Sequence, residues 1–105
     1  LNLDNWIILY IFFEINLIKE LGYDTNLNIF NEDKNNLNHL KRVKIDEYIY
    51  EVPNFLIKQK MPDAITKLLI RKSLLFTRSV LINKFFKPNN LMFPKSRVIL
   101  ENYFN

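Results

Sequence analysis

Two carboxylates, one imidazole and three hydroxyls are the residues whose types could support catalysis. Glu14 and Glu20 lie in one helical stretch. Six residues apart, they point about 120° away from each other on an α-helix, so they cannot act as a carboxylate pair. Each is expected to be solvated or salt-bridged. His39, the one histidine, stands between Asn38 and Leu40 in a polar stretch. A general base or metal ligand needs partners, and none is nearby in sequence, so His39 reads as structural or exposed. Ser73, Thr77 and Ser79 sit in the longest helical pattern. No glycine-rich phosphate loop precedes them, and hydroxyls so placed bond their own helix carbonyls. With one histidine and no cysteine, multi-histidine metal sites, thiolate sites and disulfides are excluded. No constellation for an enzyme is present, and neither a metal nor a cofactor is expected.

The feature with functional shape is a basic stripe. Lys67, Arg71 and Arg78 fall within about 40° of one another on a helical wheel. Lys84, Lys87, Lys95 and Arg97 follow. Charge is divided unevenly: through Glu51 there are 9 acids and 5 bases, and from Val52 onward 2 acids and 10 bases, giving −4 and +8 and the chain's net +4. A basic half suits a polyanion or an acidic peptide, and arginine forks match phosphate and carboxylate. Phe85 and Phe93, expected to be exposed, could stack bases or receive an apolar side chain. The competing reading is a solvated helix face, with lysine raised by an AT-rich genome.

These residues need elements to hold them. At 105 residues, half of them apolar and a quarter charged, the chain is expected to fold as one globular domain, residues 1–105, with a modest core. The longest apolar run, Trp6 to Phe13, is too short for a membrane span, and no signal-peptide pattern is present.

Asp4 to Leu21 reads as a first helix capped by Asp4, with Trp6, Leu9, Tyr10, Phe13, Leu17 and Leu21 as its main apolar face. Ile7, Ile8, Ile11 and Phe12 carry apolar character round the other side, so the helix is expected to be buried on two sides or to dock on something else. Gly22, the single glycine, is expected to stop it. Tyr23 to Leu40 is asparagine-rich and reads as a loop lying on the core. Lys41 to Val52 reads as two short strands hinged at Asp46-Glu47 and ended by Pro53. Asn54 to Ile57 reads as an apolar anchor. Pro62 is expected in the first turn of a long central helix over Met61–Lys87. Lys87-Pro88-Asn89-Asn90 breaks it. Pro94 opens a last helix to Phe104 with Val98, Ile99 and Tyr103 inward. The fold class is mainly α: a small helical domain with a minor two-stranded β-hairpin.

Four segments in order also carry a resemblance: FEINLIKELGYDTNL (Phe13 to Leu27), VPNFLI (Val52 to Ile57), SLLFTRSVLINKFF (Ser73 to Phe86) and FPKSRVIL (Phe93 to Leu100). Together they resemble the C-terminal helical region of the RecO family of recombinational DNA-repair mediators, its alphaproteobacterial branch in particular. Glu14, Glu20, Leu21, Gly22, Tyr23 and Leu27 match the first family motif. Pro53, Phe55 and Leu56 match the second, Leu75, Thr77 and Leu81 the third, and Pro94 and Arg97 the last.

The resemblance implies a cytoplasmic, nucleoid-associated protein of the RecF-RecO-RecR system. It would bind single- and double-stranded DNA and the acidic, Phe-ending tail of single-stranded-DNA-binding protein (SSB), helping RecA to load and strands to anneal. Arg97 is its best candidate for a polar functional role. Where many relatives have a cysteine-bearing segment, some of it zinc-binding, this chain reads NIFNEDKNNL (Asn28 to Leu37), so zinc is not expected. The family's N-terminal OB-fold domain, which contributes to DNA and RecR contacts, is not in this sequence, and the chain is expected to be a C-terminal portion of a longer protein. The alternative is a small structural or assembly domain without a ligand of its own.

Overall fold

The computed structural model describes residues 3–21, 37–45 and 47–104. Among them are four α-helices and one antiparallel two-stranded sheet: α1 (Leu3–Glu20), β1 (Leu40–Ile45), β2 (Tyr48–Pro53), α2 (Asn54–Lys58), α3 (Lys67–Leu81) and α4 (Lys95–Tyr103). The expected class, mainly α with a minor hairpin, is the one observed. The expected stop at Gly22, the loop through Asn36 and the Asp46 half of the hinge lie outside the described residues.

In α1 the core takes the isoleucine side. Ile7, Ile8, Ile11, Ile15 and Ile18 are fully buried, whereas Trp6, Leu9, Phe13 and Leu17 are 41, 60, 58 and 37% exposed. The main apolar face therefore lies opposite to the expected one. Both arcs have helical periodicity, so periodicity could not rank them. The β-branched isoleucines, confined to few rotamers, are the set buried in the common core, on a helix that packs against α3. Asp4 lies in the first turn and Lys19 in the last, each of favourable sign for the helix dipole.

The hairpin pairs Leu40 with Pro53 at its open end and Ile45 with Tyr48 at its turn. Alternation puts Val43, Ile45, Tyr50 and Val52 on the core side, the period-2 pattern of a half-buried sheet. Pro53 is both the last strand residue and the N-cap of α2. The anchor expected at Asn54–Ile57 is this short helix, with all four residues buried. Gln59, in the left-handed region at φ 54°, ends it. Two backbone bonds tie it to the preceding turn, from Asn54 N–H to His39 O (2.7 Å) and from Phe55 N–H to Leu37 O (2.9 Å).

The central helix starts later than Pro62. Thr66 is extended, and its hydroxyl accepts from Leu69 N–H at 3.1 Å, so α3 begins at Lys67. A threonine cap satisfies a free N–H of the first turn directly, while a proline only avoids having one, and the cap fixes the boundary. Leu69, Ile70, Leu74, Phe76, Val80 and Leu81 face the core. Leu68 and Leu75 are 52 and 42% exposed.

After Leu81 the helix widens into one π turn, Ile82–Phe86, closed by Lys87 N–H to Ile82 O at 2.9 Å. Asn83 ties this turn to the hairpin by donating to the Tyr50 hydroxyl at 3.0 Å. Lys87 to Asn90 then form turns, as expected. In α4 the expected inward residues are outside: Val98, Ile99 and Tyr103 are 36, 69 and 65% exposed. The single fully buried residue of α4 is Arg97.

Candidate functional site

Arg97 is 5% exposed and reaches across the molecule to Glu14, itself 3% exposed. Its Nε donates to Glu14 Oε2 at 2.5 Å and its Nη2 to Glu14 Oε1 at 2.9 Å, the two-pronged fit of guanidinium to carboxylate. Nη2 also meets Thr77 Oγ1 (3.1 Å) and the Leu74 carbonyl (3.0 Å). Thr77 in turn donates to Glu14 Oε1 at 2.6 Å, and the Tyr10 hydroxyl donates to Glu14 Oε2 at 3.0 Å. Glu14 thus accepts four hydrogen bonds, about the full capacity of a carboxylate. Burial, followed by the Glu14 charge, pushes the Tyr10 phenol up to about 12.

Each piece of this network has a local cause. Tyr10 and Glu14 are one turn apart on α1, the spacing that brings side chains together on a helix. Thr77 sits on the buried face of α3, its hydroxyl also close to the Ser73 and Leu74 carbonyls. Ser73, one turn earlier, bonds only its own helix, donating to Leu69 O at 2.8 Å. Pro94 caps α4 without a side-chain bond and fixes the chain direction from which Arg97 turns inward. An acid–base reaction needs a group that exchanges protons with a substrate; here the Glu14 oxygens, the Thr77 hydroxyl and Arg97 Nε and Nη2 are each engaged by another group of the network. The network holds structure.

Above it lies a groove of about 430 Å³ between α1, the end of α3 and α4. Leu17 and Leu21 form one wall, Leu81, Phe85 and Phe86 the second, and Phe93, Pro94 and Leu100 the third, with Tyr10, Glu14 and Arg97 at the base. Phe86 meets Phe85 and Phe93 edge-on, with ring centroids 5.1 and 5.4 Å apart. The Arg97 guanidinium stands 5.7 Å from the Phe93 ring centroid. Phe85 and Phe93, expected to be exposed, are half-buried here.

The seven basic residues singled out in the sequence do not form one surface. Lys67 and Arg71 are exposed on α3, and Arg71 borders a shallow depression with Leu68, Lys72, Leu75 and Glu101. Arg78 is half-buried and faces Glu101 of α4 at 3.6 Å, so part of its charge is neutralised within the fold. Lys84 and Lys87 flank the Phe85–Phe86 wall in sequence, and Lys95 stands between the wall residues Pro94 and Ser96. Lys87 and Lys95 are exposed. Arg97 leaves the set: it is spent on Glu14 in the interior, because a guanidinium buried this deeply needs a carboxylate partner. Lys72, flanking the stripe, is also paired, at 2.8 Å from Glu51, and that hydrogen bond and charge hold the Glu51 carboxyl below its ordinary range.

His39 is exposed and Glu20 lies at the exposed end of α1. Among the described residues no group of three or more acids and histidines is arranged to hold a metal ion, and no helix is long and apolar enough to cross a membrane.

No family model matches the chain, and no curated protein and no solved structure matches it either.

Sequence reasoning treated Thr77 as a helix-bonded hydroxyl and Tyr10 as core, and missed their shared carboxylate. One signal pointed there. Between Asp4 and Lys19, Glu14 is the single charged residue in an otherwise apolar or neutral run. A lone charge in such a helix needs a buried partner.

Proposed function

We propose that the chain is a non-enzymatic binding module of the RecO type, acting in recombinational repair of DNA. In this reading it engages DNA and the acidic, Phe-ending tail of SSB, helps RecA to load and promotes strand annealing, with RecR contacted through an N-terminal domain. The observation that carries the reading is a convergence. Glu14, Thr77 and Arg97 come from three separate segments of the family resemblance, and they meet in one buried network. Phe55 and Leu56, from a fourth segment, are fully buried. Glu14, Thr77, Arg97, Phe55 and Leu56 are thus residues on which this fold depends, whereas the matched Glu20, Leu75 and Pro94 are exposed.

The apolar groove suits a peptide tail better than it suits a nucleic acid. Its walls are mainly Leu and Phe, its base is a neutral ion pair, and the exposed Lys87 and Lys95 adjoin its wall residues in sequence. A phenyl ring would enter the groove while carboxylates stay with the lysines. DNA phosphates would fall to the exposed Lys67 and Arg71, giving affinity that drops steeply with salt.

The test is a salt titration of binding to single-stranded DNA and to a fluorescent acidic peptide ending in Phe. Arg71→Ala is expected to weaken DNA binding with little effect on the peptide, and Leu17→Glu to weaken the peptide with little effect on DNA. A wild-type chain that binds neither at low salt defeats the reading. A second reading, a small assembly domain without its own ligand, is favoured by the exposed Trp6, Leu9, Phe13 and Leu17 on α1; it predicts that outcome.

A further inference from the structure

We infer that Arg97 is a positioning residue: by seating α4 on Glu14 it sets the third wall of the groove, and the ligand never touches it. The inference rests on the groove's binding role proposed above, although its central claim concerns α4 itself.

Helix α4 has few other polar contacts to fix its seat, and Glu101, which faces Arg78 of α3 at 3.6 Å, makes a longer and partly exposed one. Arg97 is its one fully buried residue, and Val98, Ile99 and Tyr103 face outward. Leu100 is half-buried, and Phe104 packs just beyond the helix end. An apolar side chain would hold a short helix in place without specifying its rotation or its position along the axis, since dispersion and hydrophobic contacts have little direction. The guanidinium has both. Its Nε and Nη2 bonds to Glu14 fix it against α1, and its Nη2 contacts to Thr77 and the Leu74 carbonyl fix it against α3. One planar group therefore locates α4 relative to two other helices.

The groove follows from that placement. Phe93, Pro94, Ser96 and Leu100 line it and lie within four residues of Arg97. The guanidinium also backs the Phe93 ring, which meets Phe86 edge-on across the groove. Moving the guanidinium moves the wall. Arg97 has little left to offer a ligand: Nε and Nη2 are committed to Glu14, Thr77 and Leu74, which leaves Nη1, 3.4 Å from Glu101. A buried ion pair often holds a fold no more tightly than apolar residues of the same size would. Its advantage here is direction.

The test separates stability from position. In Glu14→Leu/Arg97→Met the pair is replaced by apolar side chains of similar size. The wild-type chain and the variant are compared by thermal melting, by amide hydrogen exchange of α4 relative to α3, and by affinity for the fluorescent acidic peptide ending in Phe. The variant is expected to melt close to wild type, yet to exchange its α4 amides about tenfold faster or more relative to α3 and to bind the peptide about tenfold more weakly or worse. A variant that melts like wild type and keeps both α4 protection and peptide affinity overturns the inference. If the double variant does not fold, Arg97→Lys decides. It keeps charge and length but loses the fork, so faster exchange confined to α4 supports the inference and unchanged exchange overturns it. A wild-type chain that fails to bind the peptide defeats the groove's binding role, while α4 exchange in the variants still decides whether Arg97 positions the helix.

Discussion

Arg97→Met alone should be among the most damaging single substitutions in this protein. It leaves the Glu14 carboxylate in the interior with only the Tyr10 and Thr77 hydroxyls as donors. Two bonds from a charged donor to that carboxylate are lost. Hydrogen bonds to charged groups contribute about 1.5–3 kcal/mol each, which suggests a loss of ~3–6 kcal/mol. The new methionine packs against Phe93, and the guanidinium no longer has to be desolvated; both offset part of the loss. Breaking one side of a buried ion pair costs about 3–5 kcal/mol in measured cases, and that range is expected here. Domains of this size have about 5–15 kcal/mol in total, so the variant should sit near the edge of folding. Urea denaturation followed by far-ultraviolet circular dichroism reads the effect as a lower midpoint, with the slope unchanged if the unfolded state is unaffected. Glu14→Leu added to Arg97→Met should restore most of the loss, and the double-mutant cycle then gives a large favourable coupling between the two positions. An Arg97→Met midpoint corresponding to less than about 1 kcal/mol of destabilisation would refute the reasoning, because an interior carboxylate cannot lose its cation so cheaply.

Two further outcomes follow from other parts of the fold. Ile11→Ala, on the buried side of α1, should cost about 2–5 kcal/mol of stability, while Leu9→Ala, 60% exposed, should stay within about 0.5 kcal/mol; equal effects in urea melts would contradict the orientation of α1. The Tyr10 phenol is raised from 10.0 to about 12 by burial and then by Glu14. Its folded value lies above its unfolded one, so the stability it contributes is complete below pH 10 and is lost as pH rises toward 12. Partial exposure of the ring keeps that contribution to roughly 1 kcal/mol. Comparing wild type with Tyr10→Phe across that interval should show the alkaline decline reduced in the variant.

Local chemistry made much of this fold legible, and long-range partnership set the limit. The hairpin could be read because β-branched and aromatic residues alternate up to Pro53, and Asn54–Ile57 because four consecutive residues there look suited to burial. The end of the long helix was marked by Lys87-Pro88-Asn89-Asn90. Its start was misread because Pro62 is a conspicuous start signal, whereas Thr66 gains meaning only through its bond to Leu69. On α1 two apolar arcs competed, and nothing within the helix says which one α3 will cover. On α4, apolar periodicity pointed to Val98, Ile99 and Tyr103, and it was outweighed by a charged residue whose partner lies 83 positions away. The basic stripe illustrates the same limit. Wheel geometry put Lys67, Arg71 and Arg78 on one side of the long helix, but Glu101, which faces Arg78, belongs to another helix. Arg97 was singled out for a polar role, and the role it has in the fold is interior.

The π turn at Ile82–Phe86 also bears on how this helix tolerates length changes. A π turn accommodates one residue more than the α-helical register would, and the surplus is absorbed within a single turn while both flanks keep their own orientation. Upstream, Leu74, Thr77 and Leu81 stay in phase with the core; within the turn, Phe85 and Phe86 enter the groove. Deleting Lys84 would remove the surplus residue and let the segment close as a regular α-helix, with Phe85 and Phe86 kept near their present direction relative to Thr77. The ion pair and the aromatic wall would both survive. In this helix a single codon can be lost without losing either the fold or the groove.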